Sequence, residues 1–351
     1  MGYSDNIQSQ ALRSLEARLP QGWRLRKGDV KRSDGDSDGV LELKAPDGQK
    51  TRLLVEVKKQ LEPRGVSALA GLLEARRSHT RNTLPLVVSP FLTSRARQLL
   101  KEAELSFLDL TGNCWIVSSA PGLFISTSGQ ETHPQPEDRP VRSLKGPVSG
   151  RIVRALCDFL PPVGVRELAT RANADPGYVS RLLSVLDREA LIVRGSRGIV
   201  SEVRWQDLIR KWAEDYSPFI PERVYSALEP RGLDAFSDKI RRFPNRYALT
   251  GSMAASAVAP VAPARLAMCY VDDPEQAASQ LGLRPAEAGV NVMLLTPFDD
   301  VVYERTRDQN KTTFAALSQV AADLLHSPGR GPEEAAALLE WMAGNEHAWR
   351  S

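Results

Sequence analysis

The chain of 351 residues is 42% apolar and 25% charged, which suits a globular protein of two or three domains, each with its own core. A formal net charge of only +3 excludes a polycation, so any nucleic-acid surface must be a local patch. Three scattered cysteines argue against a zinc site or a disulfide framework.

The opening "MGYSDNIQSQ" lacks a basic stretch followed by an apolar one, so no leader peptide is expected. The run "YALTGSMAASAVAPVAPA" is uncharged but rich in small residues and broken by Pro260 and Pro263, a poor membrane span. A cytoplasmic protein without membrane contact is expected.

Residues 1–128 alternate helix and strand patterns. A helix after residue 5 leads into strands "WRLRKGD", "GVLELK" and "RLLVEVK". Helix, strand and helix follow, then strands "SFLDL", "CWIVS" and "LFIST", which together predict an α/β sandwich. Pro46-Asp47-Gly48 predicts a three-residue hairpin loop, so that cross-strand partners sum to 94 and Asp38 faces Glu56. Alternation then puts Leu41, Leu43, Leu53, Val55 and Val57 on the core face. Asp38, Glu42, Arg52, Glu56 and Lys58 share the other.

Two carboxylates there could hold Mg²⁺ by hard oxygen ligation, with Lys58 positioning or activating water. The alternative is a solvated ion pair of Glu56 and Lys58. Asp34 and Asp36, in the same loop, are alternatives to Asp38. This order of elements, with Asp38, Glu56-Val57-Lys58 and Gln60, resembles the PD-(D/E)xK restriction-endonuclease superfamily over about residues 5–110. The resemblance implies divalent-metal phosphodiester hydrolysis, with Asp38 and Glu56 as metal ligands, Lys58 at the water and Glu16 as an auxiliary carboxylate. Fold alone does not imply activity, and a face that holds nucleic acid without cutting it is the preferred expectation.

Residues 129–148 ("SGQETHPQPEDRPVRSLKGP") are polar, Pro-rich and aperiodic, a linker. In residues 149–216, "SGRIVRALCDFL" and "VRELATRA" carry helical apolar spacing. "NADPG" offers Asp175 as N-cap and Pro176 at the first helical position. The next helix buries Val179, Leu182, Leu183 and Leu186 and presents Tyr178, Arg181, Ser184 and Arg188. Then "IVRGSRGIV" predicts a hairpin with a basic tip.

Helix, helix, turn, helix and basic hairpin resemble the winged helix-turn-helix of many bacterial repressors. The resemblance implies a third helix in the major groove, read through Gly177, Tyr178, Ser180 and Arg181, with Ser184 and Arg188 further along. Arg181 grips either a guanine or a phosphate. Arg194, Ser196 and Arg197 on the wing straddle the backbone or enter a minor groove. The alternative is a winged helix used for protein contacts.

Residues 217–351 return to mixed strands and helices, an α+β block. Gly251-Ser252, followed by Asp272 and Asp273, has the outline of a nucleotidyltransferase. Adjacent acids point to opposite faces of a strand, however, and the expectation is a packed helix and a strand-end turn. The stretches "LLVEVKKQLEPRGVSAL", "LSFLDLTGNCWI", "YALTGSMAASAVAP", "GVNVMLLTPFDDVVYE" and "SQVAADLLHSPGRGPEEAAALLEWM" together resemble actinobacterial members of the type IV toxin–antitoxin antitoxin family, the AbiEi-like transcriptional regulators. That resemblance implies a DNA-binding repressor whose C-terminal domain supports regulation, and a toxin partner as an alternative role.

Expected partners are duplex DNA, single strands at the N-terminal face and, for a palindromic site, a second copy of the chain. DNA binding needs no cofactor; Mg²⁺ enters only if the nuclease-like site is active.

Overall fold

The computed structural model describes residues 3–28, 38–77, 83–134 and 143–351. Asp34, Asp36 and the side chain of Ser196 lie outside the described residues. Among those described, no helix is long and apolar enough to cross a membrane. The protein is a mixed α/β, multidomain chain of two compact units, Met1–Pro140 with Arg188–Ala190, and Val141–Asp187 with Leu191–Ser351.

The first unit is one seven-stranded sheet whose strands lie in chain order. They are β1 (Arg24–Lys27), β2 (Gly39–Lys44), β3 (Lys50–Val57), β4 (Thr83–Ser89), β5 (Ser106–Asp109), β6 (Cys114–Ser119) and β7 (Gly122–Thr127). β3, β4 and β5 run parallel, and the other neighbours are antiparallel. The β2–β3 register runs from Gly39↔Val55 to Lys44↔Lys50, the sum of 94 read from the turn. Gly48 takes φ +87 at that turn, and Asp47 accepts the Gln49 N–H at 2.9 Å.

The period of two sorts β3 between two helical layers. Leu53 and Val55 join Leu41, Leu86 and Val88 against Ile7, Ala11 and Leu15 of α1 (Tyr3–Glu16), a stripe at four-residue spacing. On the opposite face, α2 (Gly65–Arg77) and α3 (Ser94–Glu102) pack Leu69, Leu73, Leu99 and Leu100 on Val87 and Phe107. Because the parallel strands are covered on both faces, "LPLVVS" reads as a continuous apolar run rather than an alternation.

The second unit begins with α4 (Pro147–Asp158), α5 (Val165–Arg171) and α6 (Pro176–Arg188), followed by the hairpin β8 (Ile192–Arg194) and β9 (Val200–Val203). Val163, between α4 and α5, adds a third rung by exchanging hydrogen bonds with Val200 at 3.0 and 3.1 Å. Then come α7 (Trp205–Ala213), β10 (Val224–Leu228), α8 (Leu233–Ile240), β11 (Tyr247–Thr250), α9 (Gly251–Ser256), β12 (Ala267–Val271), α10 (Pro274–Leu281), β13 (Arg284–Pro285) and β14 (Val292–Leu295). The chain closes with β15 (Arg307–Gln309), β16 (Thr312–Phe314), α11 (Leu317–His326) and α12 (Gly331–Gly344).

The second sheet has the order β13-β10-β14-β12-β11-β16-β15. The sequence draws a boundary near residue 216, yet a single apolar core runs across it from Leu144 to Trp349.

Polar side chains cross that boundary too. Arg154 of α4, 1% exposed, pairs with Asp158 at 2.9 Å and donates to the Val301 and Glu304 carbonyls and to Gln319. Gln319 passes the chain on to Asp323 (2.9 Å). Asp323 also accepts from Tyr216, Tyr270 and Thr250. Arg350, 4% exposed, donates to the carbonyls of Leu156, Cys157 and Phe159, satisfying acceptors that the end of α4 leaves open.

Candidate functional site: the Glu56 face and the α6 surface

Glu56 lies next to last in β3, on the face covered by α2, and is 5% exposed. A buried carboxylate is stable only when paired and hydrogen-bonded. Here Lys58 reaches Glu56 Oε1 at 2.7 Å, and Arg76 of α2 reaches Oε2 at 2.7 Å. Two charge-assisted bonds thus neutralise it. Lys58 keeps 36% of its side chain exposed and Arg76 18%, so Lys58 forms the mouth of the cluster. Asp38 sits one step beyond the last ladder pair, opposite Glu56, and its Oδ2 accepts the Val57 N–H at 2.7 Å.

The sequence therefore brings Asp38, Glu56 and Lys58 together. Glu16 does not join them. It is exposed at the end of α1, whose apolar stripe packs on the opposite face of the sheet. The polar α1 side chain beside Gly39, next to Asp38, is Gln8, whose Nε2 lies 1.7 Å from where a Cβ on Gly39 would stand. Glu16 is eight residues further, about 12 Å along the helix. Arg76 was missed: nothing local in "GLLEARR" says which arginine α2 turns toward β3.

These residues do not fit a resident divalent ion. Hard cations need free carboxylate oxygens, and both oxygens of Glu56 already hold cations. Among the described residues no cluster of three or more His, Cys, Asp or Glu could hold a metal.

The second surface is the start of α6 with the β8–β9 hairpin. Asp175 caps α6 as the sequence predicts, accepting the Tyr178 N–H at 2.8 Å. Gly177 is exposed, and a Cβ there would meet Asp175 Oδ1 at 3.0 Å and Arg181 Nη1 at 3.4 Å. Its bareness lets the exposed Arg181 fold back across the helix start.

Tyr178 does not present its hydroxyl outward. The ring packs on the core, and the hydroxyl pairs with that of buried Ser149 at 2.7 Å. Ser180 is half-buried, and its carbonyl accepts from Ser184 Oγ at 2.9 Å. Ser184 Oγ in turn accepts from Arg194 Nη1 at 3.0 Å, so these two residues tie the hairpin to α6. Arg188 is half-buried at the far end of α6, about 16 Å from Gly177.

Arg197 is exposed at the hairpin tip with φ 61, a left-handed conformation that costs an L-residue roughly 1 kcal/mol. Beside α6, a depression of about 490 Å³ is lined by Arg166, Thr170, Asn173 and Pro176, with Arg166 exposed. Glu167, next to Arg166 in the chain, is paired with Arg171 at 2.6 Å. Arg151 fixes the α5–α6 turn from behind, donating to the Ala172 and Asn173 carbonyls and pairing with Asp299 at 2.6 Å. Neither Arg151 nor Arg166 was singled out from the sequence.

In the C-terminal sheet, Ser252 donates to Glu334 of α12 at 2.5 Å, which covers the Gly251-Ser252 turn. Asp272 makes a two-oxygen pair with Arg246 at 2.9 and 2.8 Å, and Asp273 caps α10. Each acid is thus engaged by its own partner, and both border one shallow depression with Arg246 and Gln276. Every residue of β12, from Ala267 to Val271, is buried.

No family model and no curated protein matches the chain. A solved structure described as "Structure of EndoMS in apo form" matches 31% of this chain and 46% of its own, under half its length, at 21% identity and a TM-score of 0.20. A likeness that slight carries no argument.

Proposed function

We propose that this chain is a DNA-binding, repressor-like transcriptional regulator. In this reading residues 149–216 are a winged helix, and the N-terminal unit is a restriction-endonuclease-like domain that holds nucleic acid rather than cutting it. The observation that carries it is the α6–hairpin surface. Arg181 and Arg197 are exposed on it, Asp175 and Glu167 are already engaged, and the Arg194–Ser184 bond joins helix and hairpin.

A helix start with a free arginine suits a major groove about 12 Å wide, and an arginine-tipped hairpin suits the adjoining backbone. On the N-terminal face, Lys58 and Arg76 cancel the charge of Glu56, removing the repulsion a buried carboxylate would exert on a phosphate.

Fluorescence anisotropy of the full chain against its own upstream region, as duplex and as single strand, tests the reading. Salt-sensitive duplex binding that Arg181→Ala weakens is expected. Absence of duplex binding in dilute buffer overturns it. Plasmid cleavage in Mg²⁺ that Lys58→Ala abolishes would put a nuclease in its place.

A further inference from the structure

The clamp on Glu56 has a chemical consequence of its own. Asp38 stands opposite Glu56, one step beyond the last ladder pair, and facing positions with Cβ atoms about 5 Å apart are close enough for two carboxylates to share one cation. Lys58 comes from β3 itself, but Arg76 comes from α2, twenty positions along the chain, and approaches the other oxygen. Each carboxylate oxygen of Glu56 therefore has its own cation, on a residue only 5% exposed.

We propose that Arg76 is a built-in counterion holding the position a divalent ion would need, and that removing its charge alone opens a Mn²⁺ site on Glu56 and Asp38. The inference rests on reading this face as one that holds rather than cuts. The guanidinium neutralises Glu56 without an exchangeable ion, so the face keeps its charge balance in the presence of chelators. Deleting Arg76 leaves a buried carboxylate with one partner too few, the situation in which a hard cation gains most.

The test is Mn²⁺ binding to the full-length protein, followed by electron paramagnetic resonance of the free ion and by calorimetry. Arg76→Met and Arg76→Gln should bind Mn²⁺ about tenfold or more tightly than wild type, a gain abolished by adding Glu56→Gln. Arg76→Lys should behave as wild type. The glutamine variant, which keeps a hydrogen bond to Glu56, covers the case in which the methionine variant fails to fold, and circular dichroism reports folding of each.

Wild-type Mn²⁺ binding that Glu56→Gln removes would overturn the proposal. So would folded neutral variants that gain none. Duplex binding measured on the same proteins reports separately on α6: its loss in wild type would remove the regulator reading without touching the metal result.

Discussion

Arg181 and Arg197 are both exposed arginines, but their settings ask different things of them. Arg181 lies across a helix start, over a glycine, where a guanidinium can address a base edge. Arg181→Ala should cost about 1–3 kcal/mol of duplex binding and relax discrimination at one base position, read by anisotropy against a panel of substituted sites. Arg197→Ala should weaken all sequences about equally and flatten the salt slope.

Tyr178 separates a reader from a packing residue. Its hydroxyl is bound to Ser149 inside the fold. Tyr178→Phe should therefore lower thermal stability by about 0.5–1.5 kcal/mol and leave duplex affinity unchanged.

Asp323 supplies a pH signature. Burial pushes its carboxyl from the ordinary 3.8 up to about 6, and the donors Thr250, Gln319, Tyr216 and Tyr270 pull it part of the way back. The folded chain thus holds this proton more tightly than the unfolded chain. Stability from this group is full below the unfolded value and is lost as pH rises through about 6. Denaturant titrations between about pH 4 and 7 should show that loss in wild type, and Asp323→Asn should flatten it.

At the scale of elements, α4 shows how helix ends and buried charge are managed together. Its last carbonyls would be orphaned inside the protein, and Arg350 reaches back 193 positions to the Cys157 oxygen at 2.7 Å. Arg350→Met removes three such donations and leaves those carbonyls buried. A loss of roughly 3 kcal/mol in the second unit is expected, seen as an earlier thermal transition.

The same scale explains which parts of the fold were legible. The β2–β3 register followed from Pro46-Asp47-Gly48 because hairpin pairing is set by the turn between the strands. The cap on α6 followed from Asp175 because capping spans three residues. The Val163 rung beside the hairpin was missed, since a single bridge residue after Pro161-Pro162 has no periodicity to betray it.

Across the whole molecule, the modest net charge of +3 makes any DNA affinity a matter of a few placed arginines. If Arg166 and Arg197 are the phosphate-facing pair, log–log salt dependence should have a slope of about −2, and chelators should leave it unchanged. A slope near zero, or a requirement for Mg²⁺, would contradict both surfaces described above.

The sequence by itself determined the periodic and local features: alternating β strands, helical stripes, turn chemistry, the cap, and the gathering of Asp38, Glu56 and Lys58 on one hairpin. These depend on residues a few positions apart, whose geometry the backbone dictates. Only the tertiary structure decided that Arg76 closes on Glu56, that Tyr178 turns inward to Ser149, that Glu16 stands on the far face, and that one core joins α4 to α11. Those outcomes hang on how distant elements pack, and a buried charge takes whichever partner the packing brings within reach.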